Sequence, residues 1–188
     1  MTHQKIPESL QRVVIIGSAG SGKSTLAIKL HKLLDYPCIE MDELCWKDDW
    51  QSRSTEELRN LVEQATQQNT WVLAGNYGSC RDIVWPRATT IIWLNLPFIV
   101  VMKQLLIRTF RRWWTAEELF NTNNVETLDR TFSKDSILWW AIKTWQRRQR
   151  EYPQAFALPE HQHLSIIEFN THAQVDTWLH QFKTLKKP

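Results

Sequence analysis

The feature that most constrains this 188-residue chain is the run Gly17-Ser18-Ala19-Gly20-Ser21-Gly22-Lys23-Ser24, which follows RVVIIG (12–17) and leads into KSTLAIKLHKLL (23–34). It matches G-x-x-x-x-G-K-[ST] without a departure. The chain has only five glycines, where average usage would give roughly thirteen, and three of them are in this run. The other two, Gly75 and Gly78, lie within four residues of each other. Glycines so placed let successive backbone N–H groups turn inward around a phosphate, while the following helix points its positive end at the same spot. The expected nucleotide-binding set is therefore Gly17, Ser18, Ala19, Gly20, Ser21, Gly22, Lys23, Ser24 and Thr25. Lys23 reaches the outer phosphates of a nucleoside triphosphate such as ATP, and Ser24 ligates Mg²⁺.

Around this run, short apolar stretches alternate with longer amphipathic ones, the pattern of βαβ units and a parallel sheet. RVVIIG reads as a buried first strand, CIEMD (38–42) as a weak second, WVLAGN (71–76) as a third, TTIIWLNLP (89–97) as a fourth and HLSIIEF (163–169) as a fifth. Helices are expected from Lys23 to Leu34, after the capping box Ser54-x-x-Glu57, and after a second box, Thr171-x-x-Gln174. The stretch 98–160 reads as two further helices, Ile99 to about Phe120 and Ser136 to Arg150. It is too long for a simple crossover between parallel strands. An inserted helical subdomain or lid over 103–150 within one domain (1–188) is the better reading.

Composition narrows the class. With 43% hydrophobic and 23% charged residues the chain is an ordinary globular protein. The longest apolar stretch, Ile91 to Met102, is interrupted by Asn95 and Pro97 and is shorter than the ~20 residues of a membrane span. The first residues lack the apolar core of a secretory signal, and the three cysteines form no CxxC pair, so reduced thiols in a cytoplasmic protein are expected. The histidines show no metal-ligand spacing. Residues 103–150 carry ten Lys and Arg against five Asp and Glu, together with five of the eleven tryptophans. In this stretch Arg108, Arg111 and Arg112 share one helix face, as do Lys143, Arg147 and Arg150.

The triphosphate motif alone does not say what is done with the phosphate. GTPases carry N-K-x-D and D-x-x-G, and neither is found. Many ATPases end a strand on an acidic pair, whereas the candidate strands here end in Leu73-Ala74 and Leu94-Asn95. Asp42 closes the second expected strand, where parallel α/β folds place ligand groups, and Glu40 lies two residues before it.

The segments VVIIGSAGSGKSTLAIKL, IEMDELCWKDDW, WVLAGNYGSCRD, ATTIIWLNLP and WWAIKTWQRRQREYP, in that order, resemble the small nucleotide-kinase-like P-loop proteins. Within these they resemble the bacterial family labelled DNA topology modulation proteins or adenylate-kinase-like ATPases. The resemblance spans 13 to about 153. It implies a three-layer α/β P-loop NTPase fold with a mostly parallel five-stranded sheet of order 2-3-1-4-5 and a helical lid. That family commonly carries Asp before GNY and in the fourth strand; this chain has Ala74 and Asn95.

By the same resemblance, Asp42 either accepts the proton of an attacking hydroxyl or helps hold Mg²⁺. Asn76 and Arg81 hold an acceptor, and Arg147 and Arg148 supply lid arginines that neutralise the transferring phosphoryl group. The expected activity is a nucleotide or small-molecule kinase using ATP and Mg²⁺, a transferase rather than a hydrolase, with an unidentified small-molecule acceptor. The second reading is an ATP-binding or ATP-hydrolysing regulatory protein associated with nucleic acid. Its support is the basic surplus interleaved with tryptophan.

Overall fold

The computed structural model describes residues 10–127 and 136–185, the last four of these for the backbone alone. The part of the expected insertion at 128–135 lies outside the described residues. Strand β1 (Arg12–Gly17) is followed by α1 (Lys23–Leu34), β2 (Cys38–Glu40), α2 (Met41–Cys45), α3 (Thr55–Ala65) and β3 (Trp71–Ala74). Then come α4 (Arg81–Arg87), β4 (Thr90–Leu94), α5 (Phe98–Thr115), α6 (Ile137–Phe156), β5 (Ser165–Phe169) and α7 (His172–Leu185).

The strands form one sheet in the order β2-β3-β1-β4-β5, every pairing parallel. β1 lies at the centre, flanked by β3 and β4. Its Val13, Val14, Ile15 and Ile16 are all buried, as a strand covered on both faces must be. Side chains alternate between two cores. Val14 and Ile16 join Ile39, Leu73, Ile91 and Trp93 on one face; Val13 and Ile15 join Leu26, Leu30, Val72, Ile92 and Phe169 on the other. Each such side chain removed from water contributes roughly 1.5–3 kcal/mol.

Both expected capping boxes form. The Ser54 hydroxyl accepts from Glu57 N–H at 3.1 Å and the Glu57 carboxylate accepts from Ser54 N–H at 2.9 Å. Gln174 and Thr171 exchange the equivalent pair. The boundaries of the long helical stretch differ from expectation. α5 stops at Thr115 rather than near Phe120, because Ala116 adopts a left-handed conformation (φ 47°) that ends the helix. α6 runs to Phe156 rather than Arg150. α5 and α6 pack together over the loop after β1 through Ala19, Leu105 and Ala141. Among the described residues no helix is long and apolar enough to cross a membrane.

Two corrections bear directly on the site. CIEMD is not strand to its end: β2 closes at Glu40, and Met41 opens α2, so Asp42 lies in the first turn of a helix. The segment after Gly78 folds into α4 despite Pro86, which places Arg81 and Trp85 one turn apart on one helix.

Gly75 fits because it has no side chain. A Cβ there would meet Met41 Cβ at 2.5 Å and Cγ at 2.6 Å, and its φ is +152°. Nothing lies within 4 Å of a Cβ added at Gly78. Gly75→Ala is therefore expected to destabilise the protein by at least ~2 kcal/mol, and Gly78→Ala to change stability by no more than ~0.5 kcal/mol. Urea unfolding of the two variants in parallel tests this contrast.

Candidate active site

The site gathers at the carboxyl ends of the strands, where β1 turns into α1. Gly17 leaves the sheet between Leu94 and Ser21, Gly20 packs against Val101 and Leu105 of α5, and the loop closes into α1 at Gly22. The residues expected to bind nucleotide are thus held in one continuous curve, roofed by α5. Lys23 folds back over this curve. Its Nζ donates to the carbonyls of Gly17 at 3.1 Å and Ser18 at 3.0 Å. Burial pushes its ammonium down to about 8; Asp42 and Glu40 oppose that shift, while Arg148 and Arg108 add to it.

Asn76, expected to hold an acceptor, also holds the phosphate loop. Its amide oxygen accepts from Gly17 N–H at 2.9 Å, and its amide nitrogen donates to Gly17 O. Both halves of the side chain clamp the start of the loop, so Asn76 sets loop geometry, with one amide N–H left over beyond these two bonds.

Glu40 emerges as the acid nearest the metal-ligand position. Its Oε2 accepts from the Ser24 hydroxyl at 3.1 Å, and its Oε1 is buried without a hydrogen-bond partner. Burial pushes its carboxyl up to about 7, against the Ser24 hydrogen bond, which lowers it. Glu40 pairs in register with Ala74, so the neighbouring strand supplies a carboxylate beside the position where β3 lacks one. Asn95 is engaged in holding the sheet edge: its Nδ2 donates to Glu168 at 2.6 Å and its Oδ1 accepts from Gln149. Among the described residues no group of three metal-ligating side chains exists. A cation at Ser24 and Glu40 would share its coordination with phosphate and water, as Mg²⁺ commonly does. The orphaned Glu40 oxygen fits that arrangement.

Asp42 is half-buried and accepts from the Tyr77 hydroxyl at 2.6 Å. Burial and the adjacent carboxylate push the Tyr77 hydroxyl far up, so it remains a donor. Beside this pair lies a narrow cleft, with about 20 Å³ of space for a water-sized sphere, whose lining includes Met41, Asn76, Tyr77, Arg81, Trp85 and Tyr152. The Arg81 guanidinium lies 4.7 Å from the Trp85 ring centroid and 5.8 Å from that of Tyr152. Ring faces hold the cation without neutralising it.

The two arginines expected as a pair on α6 separate. Arg147 points to solvent and meets Glu151 at 3.5 Å. Arg148 is 5% exposed, lies 4.5 Å over the Trp140 ring, and leaves a buried Nη1 without an acceptor. From α5, Arg108 and Arg112 each bury an Nε without a partner. Burial, with Arg112 as the next contributor, pushes Arg108 down to about 10. The positive charge at the loop thus comprises Lys23, Arg108 and Arg148, with buried donors left free. Arg108 was legible only as one of three arginines on a helix face. Trp85 and Tyr152 follow Arg81 and Arg148 by four residues each, a signal that requires knowing that 81–87 is helical.

No protein-family model matches the chain. Over 105 residues it is 28% identical to the uncharacterized protein YqaC of Bacillus subtilis (strain 168). That match covers 55% of this chain and 59% of the relative, so it spans little more than half the relative's length. Two solved structures share the architecture nearly end to end. The shikimate kinase of Bacteroides thetaiotaomicron aligns with a TM-score of 0.54 at 16% identity, over 93% of this chain and 97% of that one. The shikimate kinase of Acinetobacter baumannii, in complex with shikimate, aligns with a TM-score of 0.55 at 16% identity, over 96% and 97%. At that identity the likeness establishes the fold, which is that of P-loop kinases. The narrower resemblance to the topology modulation family is not confirmed by the partial match to YqaC.

The lowered Lys23 ammonium has a measurable consequence. Its folded pKa, about 8, lies below the ordinary value of 10.5, so the fold disfavours the protonated form. The cost is fully present below pH 8 and is relieved as pH rises from 8 toward 10.5. Between pH 8 and 10 the stability of wild type relative to Lys23→Met should therefore rise, by on the order of 1–2 kcal/mol. Urea denaturation of both proteins across that range checks it; a flat difference would contradict it.

Proposed function

We propose that the chain is a small-molecule kinase that transfers the γ-phosphoryl group of ATP to an acceptor bound beside Arg81. The observation that carries this reading is a set of buried, unused donors (Arg108 Nε, Arg148 Nη1) and an unused acceptor (Glu40 Oε1) on residues whose charges all act on Lys23. An unpartnered buried polar atom is costly, and this set is what a phosphoryl group with its metal would satisfy. Tyr77 and Arg81 line a narrow cleft, and in this reading the acceptor enters there as the cleft widens.

In this reading the 17–25 loop wraps the phosphates and Lys23 exchanges its two carbonyl contacts for phosphate oxygens. Ser24 and Glu40 would hold Mg²⁺, which would supply screening of the phosphate charge. Asp42, oriented by Tyr77, takes the proton of an acceptor hydroxyl. Arg81 holds the acceptor's polar or anionic end between Trp85 and Tyr152. Arg148, with Arg108, neutralises charge spreading over the transferred group; phosphoryl transfer needs little beyond alignment and such neutralisation. Residues 103–150 act as the lid that carries these arginines. Arg147 takes no part.

The test is to screen hydroxylated metabolites, nucleosides and nucleoside monophosphates for stimulated ADP release, with Lys23→Ala as the blank. With an active acceptor in hand, Arg148→Ala should lower kcat by ~10²-fold or more, Arg147→Ala by less than about twofold, and Asp42→Asn by ~10²-fold or more. Glu40→Gln should weaken the Mg²⁺ dependence of turnover. An Asp42→Asn enzyme of full activity would rule out the hydroxyl acceptor. Nucleotide binding that survives Lys23→Ala unchanged would remove the kinase reading altogether.

A further inference from the structure

The outer face of α5 is apolar, and among the described residues nothing covers it. Ile99 is 80% exposed, Phe110 62% and Trp114 75%, with Leu106 and Ile107 more than half exposed. Phe110 stacks on Trp114 at 6.4 Å and tilts against Trp113 at 5.6 Å, so the aromatic end is a preformed platform. Scattered exposed apolar residues are normal, but a continuous strip of this kind marks an interaction surface. The inner face of the same helix carries Leu105 against Gly20, together with Arg108 and Arg112. The strip is therefore the back of a helix that roofs the phosphate loop.

We infer that this strip pairs with the α5 strip of a second copy of the chain, antiparallel, about a two-fold axis near Leu106. Ile99, Lys103, Leu106, Phe110 and Trp113 follow one another at spacings of four, three, four and three, the seam that accepts another helix. Antiparallel pairing about Leu106 sets Lys103 of one copy against the Phe110 ring of the other, twice. The one charged residue in the seam then meets a ring face, an attractive arrangement for a cation. Parallel pairing would set Lys103 against Lys103.

The exposed surface of Ile99, Leu106 and Phe110 with the flanking Ile107 and Trp114 comes to roughly 700 Å², an upper bound on what pairing covers, set against the ~800 Å² each partner contributes to a standard interface. A two-fold pair also closes on itself and leaves no strip open.

Charge argues against an anionic partner. Arg111, beside the strip, is paired with Glu117 at 3.2 Å, and Arg147 on α6 with Glu151. Lys143 lies over the Trp139 ring. The aliphatic Ile99, Leu106 and Ile107 offer no face on which a base could stack.

Size-exclusion chromatography with light scattering tests this on the full chain at about 5–100 µM. The expected result is a particle of about twice 22.3 kDa that becomes monomeric in Phe110→Glu and in Leu106→Glu, with circular dichroism and melting temperature held near wild type. Leu106→Cys in a Cys38→Ser background should form an intermolecular disulfide under mild oxidation, and the Cys38→Ser background alone should not. A wild-type monomer at 100 µM, or a dimer that survives both glutamate variants, overturns the inference. So does binding of the wild type to vesicles of mixed anionic lipid or to single-stranded DNA that Phe110→Glu abolishes. None of these readouts depends on catalysis.

Discussion

Everything at the site follows from one constraint: the loop between β1 and α1 holds a cation that is half-buried and has no negative partner of its own. Lys23 is satisfied only by the Gly17 and Ser18 carbonyls, and two further guanidiniums, Arg108 and Arg148, press the same region. The protein maintains this like-charge crowding by packing. α5 lies on the loop through Gly20, α6 lies on α5, and Trp140 faces Arg148. Such a centre is a stored demand for an anion, and the anion that the loop geometry suits is a phosphate chain.

The acids are arranged to limit that demand without meeting it. Glu40 contacts Ser24 rather than any cation, and Asp42 is held by Tyr77. Glu40 sits beside the Ser24 hydroxyl and Asp42 beside Tyr77, which lines the cleft with Arg81. This separation of roles depends on a single backbone event, the change from β2 to α2 between Glu40 and Met41. It turns two nearby acids toward different hydrogen-bond partners.

The architecture was legible in the sequence because it rests on local signals: a β-branched run ending in glycine, the phosphate loop, two capping boxes, and apolar strands at regular intervals. The sheet order came from the resemblance and agrees with the structure. The distribution of roles within the site was less legible. Asp42 outranked Glu40 on the premise that β2 continued to residue 42. The structural role of Asn76 was hidden because nothing in a linear sequence shows its amide reaching back 59 positions to Gly17. Arg147 and Arg148 are adjacent, so helical spacing alone cannot say which one faces inward; the packing of α6 on α5 decides that. Helix α4 was hidden by Pro86, and with it the ring environment of Arg81.

The central claim is that the unused donors and acceptor on the residues whose charges act on Lys23 are the binding groups for MgATP. A crystal structure with Mg²⁺ and a non-hydrolysable ATP analogue tests it most directly. The account predicts terminal phosphate oxygens within hydrogen-bond distance of Lys23 Nζ and the Arg148 guanidinium, with the metal bound by Ser24 Oγ and reached by Glu40 directly or through water. An analogue bound away from the 17–25 loop, or bound there with Arg148 and Glu40 both left unengaged, would contradict it.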